Sequence, residues 1–463
     1  MAGIVGIESD GKQEQVNLML NKLVHRGDAG SKVIESHGTT LGAFWPETQA
    51  VPNSVILQQQ AVWDGSQAPL PEPAALRRKP EPFALIAAGL NGLFVARDLM
   101  GVRPLYYGQM DDETLCFASE VKALLEVTQD IHEFPPGTWY DSEQGFQVFS
   151  EIERRPALRQ ETDEIAAGLR LRLEQSVCQR VDNEVMGCWL SGGLDSSVMA
   201  ALARPHVQKL HTFGGGIPGA PDLEYARQVA DFLDTEHHEI LVTLEELLTV
   251  LPEVIYYLES FDALLVRSSI TNYLVAKHTA DYAGSLFSGE GADELFGGYA
   301  YLKDLSHNQL SDELVDITQR LHNTALQRVD RSASAHGLVA HVPFLDLDVA
   351  NYAMSIPPQL KLRRDNAVIE KWILRRAMSD VLPDDVLWRR KAKFWQGAGV
   401  DEMLAQYAAE HISDNEFEHE RYLVNGWALN TKEELLYYRI FREHFGELGD
   451  LSWMGRTKGA PVN

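Results

Sequence analysis

Residues 185–197, VMGCWLSGGLDSS, run an apolar segment into two glycines and then into a helix-forming stretch, DSSVMAALARPH at 195–206. A short apolar run ended by glycines reads as a buried strand, and the segment after it as the helix that the glycine turn releases. The same alternation follows downstream: LHTFGGG (210–216) reads as a strand, DLEYARQVADFLD (222–234) as a helix and HHEILV (237–242) as a further strand. Strands and helices alternating at this spacing predict a doubly wound parallel sheet, an α/β architecture that binds ligands at the carboxyl ends of its strands.

The glycine turn is chemically loaded. Gly192 and Gly193 let backbone approach phosphate oxygens, while Ser191, Ser196 and the helix N-terminal amides offer donors, so the loop can cradle a pyrophosphate. Asp195 suits bare phosphate only if a divalent cation lies between them, which assigns it to Mg²⁺. Taken alone, a Ser-Gly-Gly turn is more commonly just a capped turn. A second loop, FSGEGADELFGGY at 287–299, changes the balance. Glu290, Asp293 and Glu294 crowd three carboxylates into five positions after an apolar segment, which is costly without a cation or charged substrate. Asp293 is accordingly a second expected Mg²⁺ ligand.

Upstream, residues 1 to about 150 contain short apolar runs between Gly, Pro and Asp (ALIAAGL, LFVAR, PLYYG, TLCFAS, TWYDS), a strand-and-turn pattern. EIERRPALRQE (151–161) is polar, and helical periodicity starts beyond it with Ile165, Leu169 and Leu173. This divides the chain into expected domains at 1–155 and 156–463. With 463 residues, 45% hydrophobic and 23% charged, the chain has the composition of a folded protein of two or three domains. A formal charge of −26 argues against nucleic acid and anionic membrane as partners. Cys116, Cys178 and Cys188 are too few for a disulfide framework and lack metal-ligand spacing, which favours a reducing cytoplasm. No run of about 18 apolar residues appears, and MAGIVGIESDGK lacks the features of a signal peptide.

WLSGGLDSS, HTFGGGIPGAPDLEYA, FSGEGADELFGGY, AHGLVAHVPFLD, PPQLKL, IEKWILRRA and LPDDVLWRRKAKF, in this order, resemble the motifs of the asparagine synthetase family, which includes the β-lactam and carbapenam synthetases. The resemblance implies an ATP-pyrophosphatase domain with a helical extension, preceded by an Ntn-hydrolase-like α+β glutaminase domain built as a β-rich sandwich. It implies attack of a carboxylate on ATP to give an acyl-adenylate and pyrophosphate, followed by attack of an amine. Under it, Leu190, Gly215, Ser288 and Gly289 hold nucleotide, Glu290 orients or deprotonates the amine, and Lys391 faces the charged transition state. Arg267, in FDALLVRSSI, matches a segment near the acyl substrate and could pair with its carboxylate. A structural ion pair is an equal alternative there. Homodimerisation is a further expectation of the family.

The amidotransferase resemblance runs through VHRGDAG, ARDLMGVRPLYYG, FASEVKALLEV and HEFPPGTWY, but its chemistry is missing. Ala2 stands where glutamine-using members carry the nucleophilic cysteine, and a methyl group forms no acyl-enzyme. The Asn-Gly-Glu segment expected between about 55 and 75 is replaced by ILQQQAVWDGSQAP, in which Asp64 and Gly65 are a relic of the turn. The glutamine-binding arginine is not recognisable in LGAFWPETQAV. Trp395, Gln396 and Gly397 replace the usual Ser, Asp, Gly, and His341 replaces an arginine before VPFLD, both in regions expected to approach the site. The expectation is an amide ligase without its own glutaminase, using ammonia with aspartate or another amine with another carboxylate, as in the lactam-forming relatives. Ammonia supplied by a separate glutaminase chain and a non-catalytic scaffold are the remaining alternatives.

Overall fold

The computed structural model describes all residues except 28, 46–59, 67–70, 78–80, 90–91, 365–366, 390–398, 400 and 458–463. Two antiparallel sheets occupy the N-terminal part. One orders its strands Gly30–Ser36, Thr39–Trp45, Gly3–Ile7, Leu115–Ala118, Tyr106–Gln109, Asp130–Glu133. The other orders Gly145–Val148, Thr138–Asp141, Gly92–Arg97, Ala84–Gly89, Ala61–Asp64. Their apolar faces meet: Ile4, Leu41 and Phe117 of the first pack with Val62, Ile86 and Val95 of the second, all buried. Each such side chain is worth about 1.5–3 kcal/mol when removed from water, so the alternating pattern is sufficient to hold the sandwich.

The polar segment before residue 162 carries no helix or strand, and Thr162–Cys178 begins with a capping box between Glu161 and Glu164. That helix buries Ile165, Leu169 and Leu173, the face its periodicity predicts.

A five-stranded sheet follows, ordered Glu236–Leu241, Lys209–Gly216, Val185–Trp189, Ser285–Phe287, Val339–His341, with every pairing parallel. The strand order reverses direction between Val185–Trp189 and Ser285–Phe287. At such a switch point the loops leave a crevice at the carboxyl ends of the strands. The two loops at that crevice are 190–193 and 288–291, the two glycine-containing segments singled out above. Helix Ala263–Thr279 packs on strand Lys209–Gly216, and the chain beyond residue 300 is mostly helical. Among the described residues no helix is long and apolar enough to cross a membrane.

Candidate active site

The loop after Val185–Trp189 is shaped by its own hydroxyls. The Ser191 amide donates to Ser196 Oγ (3.2 Å), and Ser196 and Ser197 donate through Oγ to the Gly193 carbonyl (3.1 and 2.7 Å). Gly192 sits at φ +67°, and a Cβ there would lie 2.5 Å from the Ala226 amide nitrogen, so no other residue fits. Arg389 clamps the turn from outside. Its guanidinium donates to the Gly192 carbonyl (3.1 Å) and to Asp222 (2.5 Å) and lies 4.0 Å from the centre of the Tyr225 ring. Helix Leu194–Ala203 then starts at Gly193, with its N-terminal end at the crevice.

The second loop abuts the first. A Cβ on Gly289 would come within 2.8 Å of the Asp195 carbonyl carbon, so the backbone of one loop rests directly on the other. Asp195 and Asp293 thereby converge on one ammonium. Lys371 Nζ lies 2.5 Å from Asp195 Oδ2 and 2.5 Å from Asp293 Oδ1, with its side chain only 2% exposed. Burial alone would lower the Lys371 pKa, but the charges of the two carboxylates lift it above the ordinary lysine range. Lys371 also holds a left-handed backbone (φ +54°), which costs a non-glycine residue on the order of 1–3 kcal/mol and marks a conformation imposed by its surroundings.

Beside this cluster the Glu290 carboxylate accepts a hydrogen bond from Arg328, and Glu294 accepts one from the Tyr299 hydroxyl. Burial, reinforced by the charges of Asp293 and Glu290, pushes the Glu294 carboxyl up to about 7. A cavity of about 670 Å³ opens over these groups. Of the residues expected from sequence, Leu190, Ser191, Gly193, Asp195, Ser196, Gly215, Ser288, Gly289, Glu290 and Asp293 line it. The lining also holds an apolar and basic set, Leu264, Leu265, Ile317, Arg320, Ala325 and Arg328.

Three expectations are corrected or fall outside the described residues. Arg267 does not face this cavity: its guanidinium is bound by Glu433, with Nε 2.7 and 2.9 Å from the two carboxylate oxygens. The structural ion pair is therefore the alternative the geometry supports, because Glu433 is buried and needs a cation. His341 does not line the cavity either. Its Nε2 pairs with Asp182 at 3.2 Å, beside the last strand. Lys391, Trp395, Gln396 and Gly397 lie outside the described residues.

At the N-terminal end the Ala2 amide donates to Asp64 Oδ1 (2.9 Å) and the Ala2 carbonyl accepts from Arg26 Nε (3.0 Å). Arg26 also donates to Glu120 (2.7 Å), to both oxygens of Asp330 (2.8 and 3.0 Å) and to Asp64 (3.2 Å). Arg331 continues the network to Glu259 at 3.0 Å, and Lys122 reaches the same carboxylate at 3.2 Å. Arg26, Asp64, Glu120 and Glu259 are fully buried, and this charged seam joins the N-terminal sandwich to helix Ala325–Ser334. Of the cysteines, Cys116 and Cys188 are buried and Cys178 is exposed. Cys116 pairs across the sheet with Ile7, and burial pushes its thiol up to about 12, as it does for Cys188.

Lys371, Arg328 and Arg389 were not legible as site residues in the sequence, whereas Glu294 and Tyr299 fall within the acidic segment 287–299 quoted there, without a role. Lys371 lies among apolar neighbours (Ile369, Trp372, Ile373) and Arg389 in a basic run, with nothing local to mark either as more than a cation facing solvent, and only the chain's return to the crevice shows their partners.

Residues 168–316 and 307–458 match the sequence model of the asparagine synthase family, and residues 82–152 that of the glutamine amidotransferase domain. Asparagine synthetase (glutamine-hydrolyzing) 2 of Arabidopsis thaliana is 36% identical over 388 residues, 78% of this chain and 66% of that protein. Asparagine synthetase B (glutamine-hydrolyzing) of Escherichia coli strain K12 is 36% identical over 386 residues, 78% of this chain and 69% of that protein. A probable asparagine synthetase (glutamine-hydrolyzing) of Schizosaccharomyces pombe is 39% identical over 392 residues, 76% of this chain and 69% of that protein. The matched region thus spans about two thirds of the length of these curated relatives.

Proposed function

Because the chain belongs to the asparagine synthase family, we propose that it is an ATP-dependent carbon–nitrogen ligase that adenylates a carboxylate and passes the acyl group to ammonia or another amine, without a glutaminase of its own. The observation that carries this is the convergence of the serine–glycine loop, Asp195, Asp293, Glu290 and Lys371 on one cavity. In this scheme the Ser191–Ser196 loop and the helix N-terminus hold the phosphates of ATP. As the acyl oxygen attacks the α-phosphorus and pyrophosphate departs, the Lys371 ammonium and the loop amides face the charge that develops.

Asp195 and Asp293 fit a magnesium role as well. Mg²⁺ keeps most of its waters and takes one or two carboxylates together with substrate phosphates, and these two carboxylates already face a common cation. Mg²⁺ bound there supplies charge neutralisation on the leaving pyrophosphate. Lys391 is proposed to meet the same transition state. Glu290, once drawn from Arg328, orients or deprotonates the amine.

The absence of glutaminase activity is supported by what occupies the N-terminal pocket. Asp64, at the relic turn, is an acceptor carboxylate bonded to Ala2 and Arg26, and it can donate nothing to an oxyanion. Restoring the nucleophile alone therefore does not restore the reaction: Ala2→Cys is expected to hydrolyse glutamine at background rate, measured as glutamate release. Glutamine turnover by that variant would show that the pocket is intact.

The acyl substrate is tested by pyrophosphate release with ATP and Mg²⁺, with aspartate present or absent and with ammonium or glutamine as donor. Release with aspartate and ammonium but not with glutamine is the expected result. No release with aspartate under any condition would move the acyl substrate to another carboxylate, a reading that the apolar wall of Leu264, Leu265, Ile317 and Ala325 already favours as second choice.

A further inference from the structure

Away from the reaction cavity, Lys361 is buried to 2% exposure and makes no hydrogen bond or ion pair among the described residues. It lines a second cavity, of about 430 Å³, where the polar segment at 154–157 meets the first turn of helix His307–Gln319. Arg154, Arg155 and His307 line it too, and no aspartate or glutamate does. In a chain with 67 acidic and 41 basic side chains, a basic cavity without a lining carboxylate runs against composition.

The charged partners of the rim arginines are open to solvent, Asp312 at 3.1 Å from Arg154 and Glu153 at 3.5 Å from Arg155, and Arg155 also donates to the Asn351 side-chain oxygen at 3.1 Å. The helix adds the positive end of its dipole on the same side, through His307, Asn308 and Ser311. A lysine buried to this degree with no counter-charge costs the fold stability rather than adding to it. Burial alone lowers its pKa to about 7, which leaves the ammonium close to losing its proton unless an anion stands beside it.

We propose that this cavity is an anion-binding site, separate from the reaction cavity, for a small metabolite carrying a phosphate or carboxylate group that Lys361 meets at its inner end and Arg154 and Arg155 at its mouth. The site does not depend on the ligase reading. It shares helix His307–Gln319 with the reaction cavity: Leu314 and Val315 line the anion site, and Ile317, one turn or less further on, lines the reaction cavity.

Calorimetric titration of the full chain, saturated with ATP, with inorganic phosphate and separately with succinate tests the proposal and distinguishes the two head groups. Saturable binding of at least one is expected. Binding should draw a proton onto Lys361 at pH 7–8, so that the heat differs between buffers of different ionisation enthalpy. K361M should weaken binding about tenfold or more, a loss typical of a charge-assisted contact, and abolish the proton uptake. It should also raise the thermal midpoint, since methionine fills the space without a charge. The R154Q/R155Q double variant, which leaves the buried lysine in place, should weaken binding as well. The proposal is overturned if neither anion binds saturably, if binding is indifferent to K361M, or if K361M lowers the thermal midpoint and so shows Lys361 to be structural.

Discussion

Replacing Lys371 with methionine is expected to lower acyl-substrate-dependent pyrophosphate release at least about a hundredfold, with the fold retained. The ammonium stands between two carboxylates that would otherwise face the phosphates of ATP directly. Two unit charges about 4 Å apart interact by about 4 kcal/mol at an effective dielectric of 20, and about 1.4 kcal/mol is a tenfold change in rate. Removing the cation thus exchanges an attraction for a repulsion where charge develops. The chain should still fold, because Asp195 and Asp293 keep about a fifth of their side-chain surface exposed and can take up water or a metal ion. Pyrophosphate release and a thermal melt, measured on the same preparation, check this. Turnover within a few-fold of the parent chain would reduce Lys371 to a structural clasp.

Arg26→Met is expected to have the largest effect on stability. Burying ion pairs gains little over apolar packing, but removing one partner from a buried cluster costs about 3–5 kcal/mol because the others are left uncompensated. Here one guanidinium serves Asp64, Glu120 and Asp330 together. The variant should lose the N-terminal sandwich first, seen as an early thermal transition and as rapid proteolysis within residues 151–161. Adding Asp330→Leu should recover part of the loss, because it removes one of the stranded charges. A single transition at the parent temperature would mean that the seam is not what holds the two parts together.

The seam also ties stability to pH. Burial favours the neutral acid at Glu120 and Asp330, but Arg331 beside the first and Arg26 beside the second outweigh it and hold both carboxyls below their usual range. The folded state therefore binds fewer protons there than the unfolded chain. Its stabilisation is present in full above the ordinary carboxylate range and is lost as pH falls through the lowered values.

The centre of the parallel sheet was legible because Val185–Trp189 and Lys209–Gly216 are largely apolar runs that lead into glycines, a local pattern that no tertiary contact has to complete, whereas Glu236–Leu241 is mostly polar. The two loops were legible for the same reason, since Gly192 and the acidic run at 290–294 are unusual within a few residues of themselves. Lys371 and Arg328 were not, because each acquires its meaning from a partner far along the chain, Asp195 for the first and Glu290 for the second. Arg267 shows the converse. Its surroundings in sequence suggested a ligand, and the buried Glu433, distant in the chain, claims it instead. The charged seam was likewise unreadable, because Arg26 and Asp330 are ordinary polar residues in their own segments and meet only when both parts are folded.

The contact of Gly289 with Asp195 has a mechanical meaning. With no side chain between them, the two loops meet backbone to backbone and form one continuous floor to the cavity, and any side chain larger than hydrogen at 289 would push them apart. Leu264, Ile317 and Arg320 line the same cavity from other elements, and the tie between that lining and the floor runs through Arg328, which donates to Glu290. If the proposed function holds, the floor meets the phosphates and the remaining lining meets the acyl group, and substitutions at Leu264 or Ile317 would change substrate preference before they changed the use of ATP.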